Sequence, residues 1–282
     1  MDNDVKLYNA LFPIWMLIMF PMTWLYILPA NFIIDSIVIL ITLKILKCNS
    51  IKSIYKSTII KVWIFGFASD FICGILLFLS QFVKGNWWYE YIMIPLVENP
   101  LDNWFSLIYC FITIFIAGFF IYFFNYKISF KKLDLPKKTI QKIALSLAIF
   151  TAPYVVLFPS YTLYGYNVKV SFFTNHIVKY SQESCSISKA GETIEEASER
   201  GLNKWDLCYA INRADRYKKS DDLFETPCEF KIVYFENEDT EDTRTEIDLW
   251  KKDQDCIFKH KNKTYIMKDY DSKEILDMLN GL

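Results

Sequence analysis

The chain has 282 residues, a net charge of −1, and 53% hydrophobic and 18% aromatic residues. That average hides two unlike halves: residues 1–159 hold thirteen lysines, eight acids and no arginine, whereas 160–282 hold eighteen basic residues against twenty-four acids. An acidic second half, with basic residues dispersed over loops in the first, disfavours nucleic-acid binding.

The leader MDNDVK is acidic and no small-x-small site follows a short apolar core, so no cleaved secretion signal is expected. Lipidation signals are also missing from both ends, which leaves attachment to transmembrane helices. One crossing takes about 17–25 apolar residues. Leu11 to Leu46 is too long for one crossing and carries Pro13, Pro21 and Pro29, with a polar break at Pro29-Ala30-Asn31. Two tightly connected helices, over 11–28 and 31–46, are therefore expected. Residues 62–83 and 104–124 each supply a further crossing, and 140–163 supplies the fifth. Proline-broken helices can mark a transport site, but no inverted repeat is visible, so the prolines are read as shaping a hairpin.

Lysine falls in two connections. Lys44, Lys47, Lys52, Lys56 and Lys61 fill one, and Lys127, Lys131, Lys132, Lys137, Lys138 and Lys142 fill another, while the loop between them has only Lys84. Positive charge near the spans stays in the cytoplasm, so both basic connections are expected inside. Residues 85–103 and 160–282 are then outside. The N-terminus is inside if the first stretch is a hairpin, and outside if 11–28 is re-entrant.

Within the spans, Gly66, Asp70 and Gly74 share one helix face, as do Ala144, Ala148 and Ala152. Small residues let helices approach closely in lipid, so these faces should pair with each other or with a second copy of the chain. An acid at the bilayer centre costs about 2.5–3.5 kcal/mol and usually has a partner, a cavity or a proton. Asp70 lies near mid-depth and is expected to hydrogen-bond Thr113, Ser146 or a carbonyl freed by proline. Asp35, one turn after Asn31, is placed in the outer part of its span as a capping acid. Trp87, Trp88, Tyr89, Tyr91 and Trp104 form an interfacial aromatic belt.

Beyond Tyr161 the pattern turns to short alternating runs. Strands are expected at 167–173, 230–235, 246–250, 256–260 and 264–268, and helices at 194–200, 204–217 and 273–279. Asp271 with Glu274 opens the last helix. The fold class is thus an all-α polytopic bundle of about five transmembrane helices (1–159), followed by an extracytoplasmic α+β domain with an antiparallel sheet (160–282). An even set of cysteines, Cys185, Cys208, Cys228 and Cys256, suggests two disulfides in an oxidising space. The acidic run 236–242 lacks the ligand order of a calcium loop and reads as a solvated turn, and Asn262-Lys263-Thr264 is a glycosylation sequon.

Catalytic motifs are missing. His176 and His260 are the two histidines, and no HExxH, G-x-S-x-G, P-loop or dinucleotide fingerprint occurs. An aspartyl pair of Asp35 and Asp70 is disfavoured because their depths are taken to differ. No catalytic residue, cofactor or metal is therefore expected. The leading expectation is a non-enzymatic protein of the cytoplasmic membrane whose outer domain binds a protein or peptide, in sensing, envelope assembly or immunity. The rival is a proton- or cation-conducting subunit that uses Asp70 and Asp35.

Overall fold

The computed structural model describes residues 16, 21–160, 174–179, 182, 184–189, 204–217, 224, 226–235, 244–267 and 269–280. The chain divides into two compact units, Met1–Tyr166 and Asn167–Leu282.

In the first unit, a 3-10 turn at Pro21–Thr23 leads into α1 (Trp24–Ile45), which runs straight through Pro29. The expected division at Pro29-Ala30-Asn31 is therefore not made. Pro29 falls in the second turn, where its missing N–H frees only the carbonyl of Leu25. The neighbouring carbonyl of Leu28 accepts the indole N–H of Trp63 at 2.8 Å, so α2 braces the proline turn from the side. Of the expected first span, residues 21–23 form the 3-10 turn and 24–28 belong to α1, and the rest of it, Met16 excepted, lies outside the described residues. Four helices among the described residues are long and apolar enough to cross a membrane: Pro21–Ile45, Ile51–Phe82, Trp104–Ser129 and Lys137–Leu157.

The second of these consists of α2 (Ile51–Leu79) and a 3-10 turn at Ser80–Phe82. At 1.5 Å per residue α2 is about 43 Å long, against a hydrocarbon core of about 30 Å. Its excess lies at the N-terminal end, where Lys52, Lys56 and Lys61 are exposed. Gly85, at φ 134°, takes a conformation that L side chains rarely adopt and turns the chain. Two short helices, α3 (Asn86–Trp88) and α4 (Ile94–Val97), follow, joined by a π-helical turn at Tyr89–Met93. Helix α5 (Trp104–Phe124) opens on Asn103, whose side chain accepts from the N–H groups of Phe105 and Ser106. It ends in a π turn at Asn125–Ser129. Helix α6 (Lys137–Phe150) stops before Pro153, and the chain continues as a 3-10 turn at Tyr154–Leu157.

The main contacts run α1 to α2, α2 to α5, α5 to α6 and α6 back to α1, a ring of four. Its interior holds two apolar clusters. One gathers Ile39, Leu43, Ile59, Val62, Ile121, Ile143 and Leu147. The other gathers Cys73, Leu77, Leu96, Cys110, Ile114, Ala117 and Val156. The outer surface is also apolar, with Ile37, Leu40, Ile41, Phe111, Phe115, Leu145 and Phe150 all exposed. A continuous apolar exterior is a liability in water but matches lipid, so these helices fit a multi-pass membrane protein.

In the second unit, β1 (Ser184–Lys189), β2 (Asp215–Arg216), β3 (Phe230–Phe235), β4 (Thr245–Lys252), β5 (Asp255–His260) and β6 (Lys263–Ile266) form one antiparallel sheet, ordered β1-β3-β4-β5-β6-β2. Helices α7 (Lys204–Arg213) and α8 (Asp269–Asn280) accompany it. The expected helix 204–217 is cut short because residues 215–216 leave it to pair with β6. The expected strand 167–173 and helix 194–200 lie outside the described residues, as does the acidic run 236–242. Ile187, Phe230, Ile232, Ile247, Leu249, Phe258 and Tyr265 occupy one face of the sheet and are buried. Arg213 on α7 pairs with Asp271 on α8 at 2.9 Å, with both side chains largely buried. Breaking such a pair strands the buried partner, so Arg213→Ala should cost about 3 kcal/mol. A chemical-denaturation midpoint equal to that of the parent protein would refute this.

Candidate functional site: a polar level inside the helical bundle

Between the two apolar clusters lies a thin polar level. Asn31 and Asp35 stand one turn apart on α1, and Gly66 and Asp70 one turn apart on α2. The two pairs face each other. The amide Nδ2 of Asn31 donates to Asp70 Oδ2 at 2.9 Å. A Cβ on Gly66 would lie 3.2 Å from Asp35 Oδ2, so the missing side chain is what admits this carboxyl. Asp35 and Asp70 are 3% and 8% exposed. The second oxygen of Asp70, Oδ1, is buried without a hydrogen-bond partner.

The partner expected for Asp70 is thus corrected from Thr113 or Ser146 to Asn31. Thr113 instead donates to the carbonyl of Cys110 in its own helix. The expected depths also change. Once α1 is a single crossing, Asp35 lies nine residues from Lys44, as Asp70 does from Lys61, about 14 Å of helix in each case. The same count from Lys142 reaches Thr151, and from Lys127 it reaches Gly118. Thr151 lies where α6 breaks and donates to the Leu147 carbonyl at 2.9 Å. Every helix of the ring therefore carries a small or polar residue at this level. Sequence reasoning overlooked Thr151 and Gly118, and counting from the boundary lysines would have found both.

The small-residue faces pack differently from the expected mutual pairing. Gly66 meets α1, whereas Ala148 meets α5, where a Cβ on Gly118 would lie 3.3 Å from the Ala148 carbonyl. Gly74 and Ala144 are buried, and Ala152 packs on the cluster around Cys110. At the end of the bundle away from the basic loops, Trp87, Tyr91 and Phe105 form an aromatic group with centroids 5.0–5.7 Å apart. Trp87 and Trp104 are exposed there, while Trp88 turns inward and donates to the Ser80 carbonyl. Tyr89 lies on the π-helical turn.

The four cysteines of the second unit are not joined by disulfides, which corrects the expectation of two bridges. Cys208 contacts Asn212, Cys228 contacts Asp248 and Cys256 contacts the Ser272 carbonyl. Burial pushes the Cys256 thiol up to about 12. Burial and the negative charge of Asp248 also raise Cys228. The remaining face of the sheet is mixed: Val233, Trp250 and Ile257 are buried on it, beside a charged row. Lys231, Asp248 and Lys259 stand opposite one another on β3, β4 and β5, and Lys231 pairs with Glu246 at 2.9 Å. Beside them Arg244, Glu246, Asp248, Lys259, His260 and Lys261 line a cavity of about 700 Å³. His260 Nδ1 lies 3.1 Å from the Glu246 carbonyl oxygen. His176, in the left-handed backbone region, stands apart from this cavity's lining. Among the described residues no three metal-ligating side chains come together. No family model, curated protein or solved structure matches the chain.

Two measurements test this geometry. Gly66→Ala drives a methyl against Asp35 and should destabilise the bundle by about 1–3 kcal/mol; a detergent-melting temperature at or above the parent's would contradict the close approach. Alkylation of the native protein at neutral pH should modify half-buried Cys185 and Cys228 before Cys208 and Cys256. Unreduced protein in denaturant should take up seven adducts, and a shortfall of two or four would reveal bridges.

Proposed function

We propose that this chain is a non-enzymatic, multi-pass protein of the cytoplasmic membrane whose C-terminal α+β unit binds a protein or peptide partner outside the cytoplasm. The observation that carries the reading is a charged row, Lys231, Asp248 and Lys259, across three strands of the sheet in a unit that follows a bundle with a lipid-like exterior. The row alternates in sign, which suits a partner segment of complementary alternating charge. Such patterns favour specificity and fast encounter over raw affinity.

Orientation is supported by lysine. The α1–α2 and α5–α6 connections carry the basic residues, and the α2–α5 connection carries Lys84. With four crossings and the basic connections inside, both the segment before α1 and the C-terminal unit are outside. Photocrosslinking from position 261, exposed beside the row, should give one discrete adduct in intact cells. That adduct should disappear when Lys231 and Lys259 are both changed to Glu. Protection of the C-terminal unit from external protease in intact cells, or an adduct unaffected by the charge reversal, would refute the proposal.

A second reading is favoured by the unpartnered Oδ1 of Asp70. In this reading the bundle is a proton- or cation-conducting subunit using Asp70, with Asp35 assisting.

A further inference from the structure

The buried acids support an inference that rests on this second reading and assigns it a chemistry. Among the described residues the polar level holds two carboxyls but no basic side chain. Residues 1–159 contain no arginine or histidine, and the boundary lysines of α1 and α2 stand about 14 Å of helix away from the acids. Among the described residues one N–H donor, Asn31 Nδ2, serves the pair. Two charged carboxylates at this depth would each bear a desolvation cost of several kcal/mol, added to their mutual repulsion. The site is therefore short of positive charge.

The chemistry of that deficit favours a proton over a metal. A calcium-like cation takes six to eight oxygens, and the described residues gather no such ligand cluster. A proton needs one oxygen. Asp70 Oδ1 is available, nine-tenths buried and on the side of the carboxyl that Asn31 does not occupy. Asp35 lies one turn along the same interface, against Gly66.

The neighbouring backbone adds to the effect. Helix α6 stops at Phe150, level with the acids, and Pro153 follows. A helix C-terminus presents unsatisfied carbonyls and the negative end of its dipole, which again favours a positive charge at this level. Toward the basic end, Ser36 follows Asp35 and shares a 2.9 Å hydrogen bond with the Tyr55 hydroxyl, a first polar step toward the lysine-bearing side.

We propose that Asp35 and Asp70 form one proton-binding site at mid-depth in the bundle. The proton resides on Asp70 Oδ1, Asn31 orients the carboxyl, and Gly66 makes room for Asp35 as the neighbouring negative group that retains the proton. The proton exchanges with solvent, so the site cycles between a neutral and a charged Asp70.

The test uses the full chain in lipid. Infrared difference spectra between acid and alkaline pH should show a protonated-carboxyl band that shifts in heavy water and vanishes at the alkaline end. Asp70→Asn should abolish that band, and Gly66→Ala, which leaves every titratable group in place, should shift its midpoint. If Asp70→Asn does not fold, Asp70→Glu serves instead and should titrate with a displaced midpoint. A spectrum with no titrating band, or a band that survives Asp70→Asn unchanged, would overturn the assignment and leave the acids purely structural.

Flux is read separately, in vesicles with a pH-sensitive dye inside and an imposed potential. Proton entry that falls to the protein-free level in Asp70→Asn would support both the site and the conducting reading. A titrating band without flux would keep the site and defeat the conducting reading. Flux that follows a sodium gradient, with no titrating band, would overturn the proton assignment.

Discussion

Asp70 sits where water cannot reach it easily, and its need for a donor at that depth constrains much of the helical unit. The donor is Asn31, so α1 has to present Asn31 to α2. It can do so only if the helix continues through Pro29. Continuation makes residues 21–45 one crossing, which brings Asp35 level with Asp70 and against Gly66. The Trp63–Leu28 hydrogen bond and the edge-on contacts of Trp24 with Phe67 and Phe32 with Trp63 hold the same pair of helices together beside the acids. One amide–carboxyl bond thus sets the register of an interface, a use of buried polarity better attested than any gain in stability.

The polar level also explains why the interior is split. Ile39 and Val62 belong to the cluster toward the basic loops, Cys73 and Ile114 to the other, and the acids occupy the gap. Side chains that pack freely on either side cannot cross it without burying an unpaired carboxyl. The close approach of α5 and α6 at Gly118 occurs at the same level. Backbone contact there replaces the side-chain packing that the clusters supply elsewhere.

Much of this was legible in the sequence, for identifiable reasons. The lysine runs at 44–61 and 127–142 mark helix ends because charge avoids hydrocarbon, and alternation at 230–235 and 256–260 marks strands because a sheet has two faces. The misreadings share a cause, in that each depended on a partner far away in the chain. Pro29 reads locally as a break because Trp63 and Asn31, which make a continuous helix workable, cannot be weighed from the local sequence. Strand β1 reads Ser-Cys-Ser-Ile-Ser-Lys and gives no strong signal, since its strand character comes from six paired residues on β3. The cysteines suggested bridges by number alone, and the fold gives three of them separate contacts with Asn212, Asp248 and Ser272.

The overhang of α2 has its own consequence. A helix about 43 Å long in a layer about 30 Å thick must project or tilt. Lys52, Lys56 and Lys61 make projection the easier choice, because their stems can lie along the helix while each ammonium meets anionic headgroups for about 1 kcal/mol. In a bilayer the bundle would then hang from its basic rim, with its height measured from there. In a thinner bilayer the acid pair would ride nearer the far leaflet, so lipid thickness itself would decide how much water lies above Asp70.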